Sequence, residues 1–176
     1  MNTFLLLQAI RNRLMPELEN LPLLTRTRDR RDRQSPKTRP VAVSIGRRPP
    51  TQPGEDYDAP LIVVQAVSGS GTEDGFERVE VALRLVVWND EPEGAENDLH
   101  NLISLVRRVL MRHRQDALDG RYVLAAGNRE GELAPWARPD AQAPSFAAAY
   151  VMTHWTMQGN EYRRRSKPWL TDTAYT

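Results

Sequence analysis

Between Phe76 and Trp88 the chain alternates almost without interruption, and this stretch constrains the fold more than any other. Val79, Val81, Leu83, Leu85 and Val87 share one side of an extended chain, while Arg78, Glu80 and Arg84 share the other. The period is two, which is the signature of a strand with one buried face. Asn89-Asp-Glu-Pro-Glu-Gly94 ends the strand with turn-forming and strand-breaking residues. From Ala95 the period changes: Leu99, Leu102, Ile103, Val106, Val109, Leu110 and His113 recur at three- and four-residue spacing, the stripe of an amphipathic helix. A long strand, an acidic turn and a helix folding back over the apolar side of that strand form one unit.

The rest of the chain supplies material to complete a sheet around this unit. Thr3 can cap a first helix reaching about Glu19, with Phe4, Leu7, Ile10, Leu14 and Leu18 as its apolar stripe, and Pro16 is expected to kink it or end it early. Val41-Ala-Val-Ser-Ile45 alternates and reads as a short strand. Leu61-Ile-Val-Val-Gln-Ala-Val67 is nearly continuous apolar sequence, as expected of a central strand or one covered by a neighbouring chain. Ser68-Gly-Ser-Gly-Thr-Glu-Asp-Gly75 reads as a flexible hairpin loop into the long strand. After the second helix, Asp119-Gly120 is a stop signal, Arg121 to Ala126 reads as a further strand, and Ser145 to Met157 as a last long one. The expected fold is α+β: an antiparallel sheet of about four to five strands, with both helices on one face. Trp88, Val151 and Trp155 would then leave apolar surface on the other face, which side-by-side assembly would hide.

The expected organisation is a single α+β domain over residues 1–160, interrupted by a basic, mobile insertion at 25–40, with a polar tail at 161–176. The insertion carries Arg26, Arg28, Arg30, Arg31 and Arg33, with Lys37 and Arg39 beyond them, and almost nothing apolar after Leu24. Lys and Arg together number 24 against 23 Asp and Glu, so the net charge of +1 gives no global field toward nucleic acid or an anionic membrane. The chain has no cysteine, which excludes disulfides, thiolate metal sites and a cysteine nucleophile. The apolar run near Met1 is cut by Gln8, Arg11, Asn12 and Arg13, so neither a signal peptide nor a membrane span is expected, and the expectation is a soluble cytoplasmic protein.

A convergent catalytic set does not assemble from the sequence. His100, His113 and His154 have no metal-ligand spacing, and no nucleophile motif is present. The 68–75 stretch lacks the Gly-Lys-Ser/Thr ending of a phosphate loop and precedes a strand rather than a helix. The acidic residues Asp90, Glu91, Glu93, Glu96 and Asp98 surround a helix start, where they complement the helix dipole. The basic runs, Arg26 to Arg39 and Arg163 to Lys167, have no interleaved aromatics for base stacking, and read first as solvated or assembly-ordered segments, with phosphate contact as the alternative. No cofactor, no metal and no enzymatic activity are expected.

The order of these elements resembles a known family. Val41 to Gly46, the Pro-rich loop, Ala59-Pro-Leu-Ile-Val-Val64 and the Gly- and acid-rich hairpin form one half of the likeness. Val79 to Gly94, leading into Asp98-Leu-His-Asn-Leu-Ile-Ser-Leu-Val-Arg-Arg-Val-Leu110, forms the other, and Ala149-Tyr-Val-Met-Thr-His-Trp-Thr156 sits where the sheet closes. Over roughly residues 3–158 the chain resembles the tail-terminator, or tail-completion, neck proteins of long-tailed bacteriophages. The resemblance implies a structural virion protein, assembled in the host cytoplasm, that forms a hexameric ring. Such a ring caps the tail tube, ends its polymerisation and offers the head-side connector a joining surface. DNA would pass through the lumen without sequence-specific binding. The alternatives are a head-closure or connector protein and, further off, a nucleic-acid-binding module. On this reading Arg78, Glu80, Arg84, Trp88 and Trp155 are the candidate ring or partner contacts, and Arg26, Arg28, Arg30, Arg31 and Arg33 the candidate lumen or partner loop.

Overall fold

The computed structural model describes residues 3–25, 37–46, 59–71, 76–127, 131–139 and 145–158. In chain order these form helix α1 (Thr3–Leu18), strands β1 (Leu23–Thr25), β2 (Lys37–Arg39), β3 (Ala42–Ile45), β4 (Leu61–Gly71) and β5 (Phe76–Trp88), then helix α2 (Pro92–Met111), continued by a single 3-10 turn (Arg112–Arg114). Strands β6 (Tyr122–Ala125), β7 (Trp136–Ala137) and β8 (Phe146–Gln158) complete it. The main sheet has six strands in the order β3-β4-β5-β8-β6, with β7 also paired to β8, and β1 and β2 make a separate two-stranded ribbon. The fold is α+β, with a mixed sheet and both helices on one face.

The alternation that defines β5 sets the layers. Val81, Leu83, Leu85 and Val87 are fully buried and Val79 nearly so. They meet Ile62 and Val64 of β4, Ala147, Ala149, Val151, Trp155 and Met157 of β8, and Tyr122 and Leu124 of β6 in one cluster. The helices close it. From α2 come Ala95, Leu99, Leu102, Ile103, Val106, Val109 and Leu110, the stripe its spacing predicts. From α1 come Leu6, Leu7, Ala9, Ile10, Leu14 and Leu18. Phe4, expected on that stripe, is half exposed, and Leu6 takes its place in the core. Pro16 lies in the last turn of α1, which runs on to Leu18.

The acidic turn before α2 is a folded start signal. Asn89 Oδ1 accepts from the Glu91 N–H at 3.1 Å, and Asn89 Nδ2 donates to Asp98 Oδ2 at 3.0 Å. Pro92 occupies the first turn, where its missing N–H costs nothing. A Cβ on Gly94 would stand 2.7 Å from Asn89 Nδ2, so only glycine lets that side chain fold over the helix start. Asp119 and Gly120 have φ of 52° and 64°, and Arg121 N–H donates to the Leu118 carbonyl. Two positive φ values at the centre of a four-residue turn are the primed type that Asp-Gly favours, and this turn delivers the chain into β6.

Several expectations are corrected. The sheet is mixed rather than antiparallel: β3 runs parallel to β4, with Ala42 opposite Leu61 and Ile45 opposite Val64. A parallel pair needs a connection of about a dozen residues or more, and residues 46–60 supply it. Ser68 to Gly71 is not loop but the outer end of β4, paired with Glu77–Glu80 of β5. Part of the expected mobile insertion is ordered: Thr25 and Lys37 to Arg39 belong to the β1–β2 ribbon. Residues 26–36, which include Arg26, Arg28, Arg30, Arg31 and Arg33, lie outside the described residues, as does the 159–176 tail. Trp155, expected on an interface, is fully buried in the core, and Val151 is too. Among the described residues no helix is long and apolar enough to cross a membrane.

Candidate functional site

The helices leave the second face of the sheet to carry the molecule's polar chemistry. Opposite each core residue of β5, alternation puts Arg78, Glu80, Ala82 and Arg84 on this face, and register brings Thr156, His154, Met152 and Tyr150 of β8 beside them. From β4 come Ser70, Ser68, Gln65 and Val63. The face has two ends of different character.

At the Trp88 end the face is apolar. Ala59, Val86 and Ala148 are buried, and Trp88 and Phe146 pack on them as a small second cluster. Trp88, one of the expected contacts, is therefore half-buried against its own sheet rather than displayed. In the middle, the Arg84 guanidinium stands 5.9 Å from the centre of the Tyr150 ring, within cation–π range.

At the other end the face is polar and hydrogen-bonded across strands. Ser68 Oγ donates to Glu80 Oε2 at 2.9 Å, and His154 Nε2 lies 3.5 Å from Glu80 Oε1. One carboxylate thus ties together three adjacent strands. The next row, Ser70–Arg78–Thr156, completes the floor of an open cleft of about 710 Å³ whose far wall is Ala125, Ala126 and Gly127. The His154 ring is held close to that wall: a Cβ on Gly127 would sit 3.1 Å from its Cε1.

This geometry does not activate a nucleophile. Ser68 donates to a carboxylate that His154 also faces, so the histidine is not placed to take the serine proton, as a nucleophile–base pair requires. The other histidines lie elsewhere. His100 meets Trp136 edge-to-face, with ring centres 5.5 Å apart. His113 is buried in the 3-10 turn, with Nδ1 2.8 Å from the Asp116 carbonyl oxygen. Among the described residues no three His, Cys, Asp or Glu side chains come together as a metal site would need.

Of the candidate contacts, the structure brings Arg78, Glu80 and Arg84 onto one face and sets Trp88 in the second cluster at its end. Trp155 is on the opposite face, where its indole N–H donates to Thr153 Oγ1 at 2.9 Å, and Thr153 in turn donates to the Val81 carbonyl at 3.0 Å. That buried relay satisfies the indole inside the core, so Trp155 needs no surface. Sequence reasoning missed Ser68 and His154 as members of the polar row. Their link depends on a register that a bulge between Ala66 and Ser68 shifts by one residue, and no local pattern announces it.

The chain matches no protein-family model, and no curated protein is similar enough to count as its relative.

Proposed function

We propose that this chain is a structural subunit of a bacteriophage neck: a tail terminator whose ring caps the tail tube, ends tube growth and presents a joining surface to the head-side connector. One observation carries the reading together with the sequence resemblance. The sheet is closed by two helices on one face, while its other face holds Arg78, Glu80 and Arg84 in rows with no helix over them among the described residues. A sheet finished on one side only suits a subunit whose second side is completed by neighbours. The proposed ring contacts are Arg78, Glu80 and Arg84, flanked by Trp88; Trp155 is withdrawn from the set because it belongs to the core. The proposed partners are further copies of the chain, the tail tube protein and the connector, with DNA passing through the lumen and no catalytic role.

The test is the mass of the purified protein by light-scattering chromatography, followed by negative-stain imaging alone and with purified tail tubes. Closed rings with a hole wide enough for duplex DNA, formed alone or on tube ends, are the expected result. A protein that neither forms rings nor binds tube ends would sink the reading and favour a head-closure role, tested in turn with purified connector.

A further inference from the structure

The polar end of the open face holds a charge that the subunit's own contacts do not use. Ser70 of β4, Arg78 of β5 and Thr156 of β8 form one cross-strand row on the floor of the cleft of about 710 Å³. Thr156 Oγ1 is committed to the Val123 carbonyl of β6, to which it donates at 3.4 Å. The Ser70 hydroxyl and the Arg78 guanidinium have no side-chain partner among the described residues. Along β5 the rows on either side of Arg78 carry Glu80 and Phe76 on this face. Glu80 is engaged by Ser68 and His154 rather than by Arg78.

These groups form a donor array. A guanidinium offers five N–H donors in a planar fork and no acceptor, and a cross-strand hydroxyl beside it adds one more. Such an array fits an oxyanion, and the planar fork fits a carboxylate with two parallel hydrogen bonds. The charge of Glu80 narrows the choice further. It stands one row away, about 7 Å along the strand, and repels a dianion more than a carboxylate. The cleft has room for more than the charged group, since its volume falls in the range of small-molecule sites. Its far wall is low, because Ala125, Ala126 and Gly127 carry little or no side chain. At Gly127 even a Cβ would press on the His154 ring, 3.1 Å from Cε1 and 3.2 Å from Nδ1.

We propose that this cleft binds a small organic carboxylate. Arg78 grips the carboxylate through its fork, Ser70 donates to one of the two oxygens, and the body of the ligand lies along the Ala125–Gly127 wall. The site is open to water, so binding is weak, on the order of millimolar. The inference goes beyond the neck reading and stands without it.

The experiment is a magnetic-resonance titration of the full chain with sodium acetate, followed through the Arg78 side-chain N–H and the backbone amides of Ser70, Arg78 and Thr156. Sodium phosphate and sodium chloride at matched ionic strength are the controls, at mildly alkaline pH where phosphate is a dianion. Acetate is expected to give saturable shifts confined to the cleft, phosphate weaker ones and chloride none. Arg78→Met should weaken acetate binding about tenfold or more, and Ser70→Ala about threefold. Glu80→Gln should raise the affinity for phosphate relative to acetate. Shifts that match those with chloride overturn the proposal, as does phosphate binding tighter than acetate, or saturation that survives Arg78→Met. Ser70→Ala should still form rings, whereas Arg84→Glu should still bind acetate. Rings without acetate saturation therefore overturn the site alone, and acetate saturation without rings or tube binding overturns the neck reading alone.

Discussion

The two faces of the central strands are built from the same residues in alternation, yet they do opposite things. On the helix side of β5 and β8, Val81, Leu83, Leu85, Val151 and Trp155 have no exposed surface at all. On the other side Arg78 is exposed, and Glu80, Arg84, His154 and Tyr150 are half-buried: Glu80 accepts a hydrogen bond from Ser68 and lies 3.5 Å from the His154 ring, and Arg84 makes a cation–π contact with Tyr150. The first face holds the fold together by removing apolar area from water, which scales with what is buried and is insensitive to partners. The second contributes little to folding, because partly solvated polar contacts are each worth a fraction of a kcal/mol to about one. On the proposed function, fold and assembly are therefore separable by mutation, one face at a time.

The sharpest way to break this comparison is to truncate the helix side. Trp155→Ala would leave a large cavity and strand Thr153 without its indole donor, and should cost about 3–5 kcal/mol. Leu83→Ala should cost about 2–5 kcal/mol. Chemical denaturation checks both. If Trp155→Ala folded with undiminished stability, the assignment of Trp155 to the core rather than to an interface would be wrong.

On the open face the expected pattern inverts. Arg84→Glu should change unfolding free energy by only about 1 kcal/mol, the scale of a cation–π contact such as the one to Tyr150 at a partly solvated site. It should nevertheless abolish ring formation, because it reverses a charge in the proposed contact. Light scattering and denaturation on the same sample separate the two effects. A variant that still assembles would move the ring interface off this face.

This division also explains what the sequence discloses. The strand–turn–helix unit from Phe76 to Met111 is legible because each face carries one kind of residue, so the periods of two and three-to-four stand out. β8 has no such contrast. Ala147, Ala149 and Val151 on one side face Ala148, Tyr150 and Met152 on the other, and hydropathy alone does not say which side is inward. That is why Trp155 reads as interface from sequence and sits in the core. The parallel β3–β4 pair is hidden for another reason: strand direction follows from where a connection returns, and composition does not encode it. The polar row of Ser68, Glu80 and His154 joins residues from three strands, so it exists only once register is set.

A smaller effect probes that row directly. Glu80→Gln keeps the shape while removing the charge that Ser68 and His154 share, and should cost about 0.2–1 kcal/mol. A double-mutant cycle with His154→Ala measures the coupling of the pair. Coupling well above 1 kcal/mol would mean that the row stabilises the fold as strongly as a core contact, and would blur the contrast between the faces.

The smallest effect at neutral pH, and the most specific, belongs to Tyr122 at the sheet's β6 edge. Burial pushes its phenol above the ordinary 10.0, and Asp119 adds to the rise while Arg121 opposes it. The neutral phenol is thus favoured in the folded chain relative to the unfolded one. The sign follows from proton counting: above pH 10 the unfolded chain gives up this proton first, so the contribution is complete below pH 10 and is lost as pH rises through the folded value. Tyr122→Phe removes the titrating group and should change stability by no more than about 1 kcal/mol at pH 7. Between pH 9 and 11 the variant should lose less stability than the parent, and the difference between their denaturation midpoints isolates the phenol from every other group that titrates there. Parallel pH profiles would show that Tyr122 ionises as freely in the fold as outside it, and that the helix-covered side is less closed at its β6 edge than at its centre.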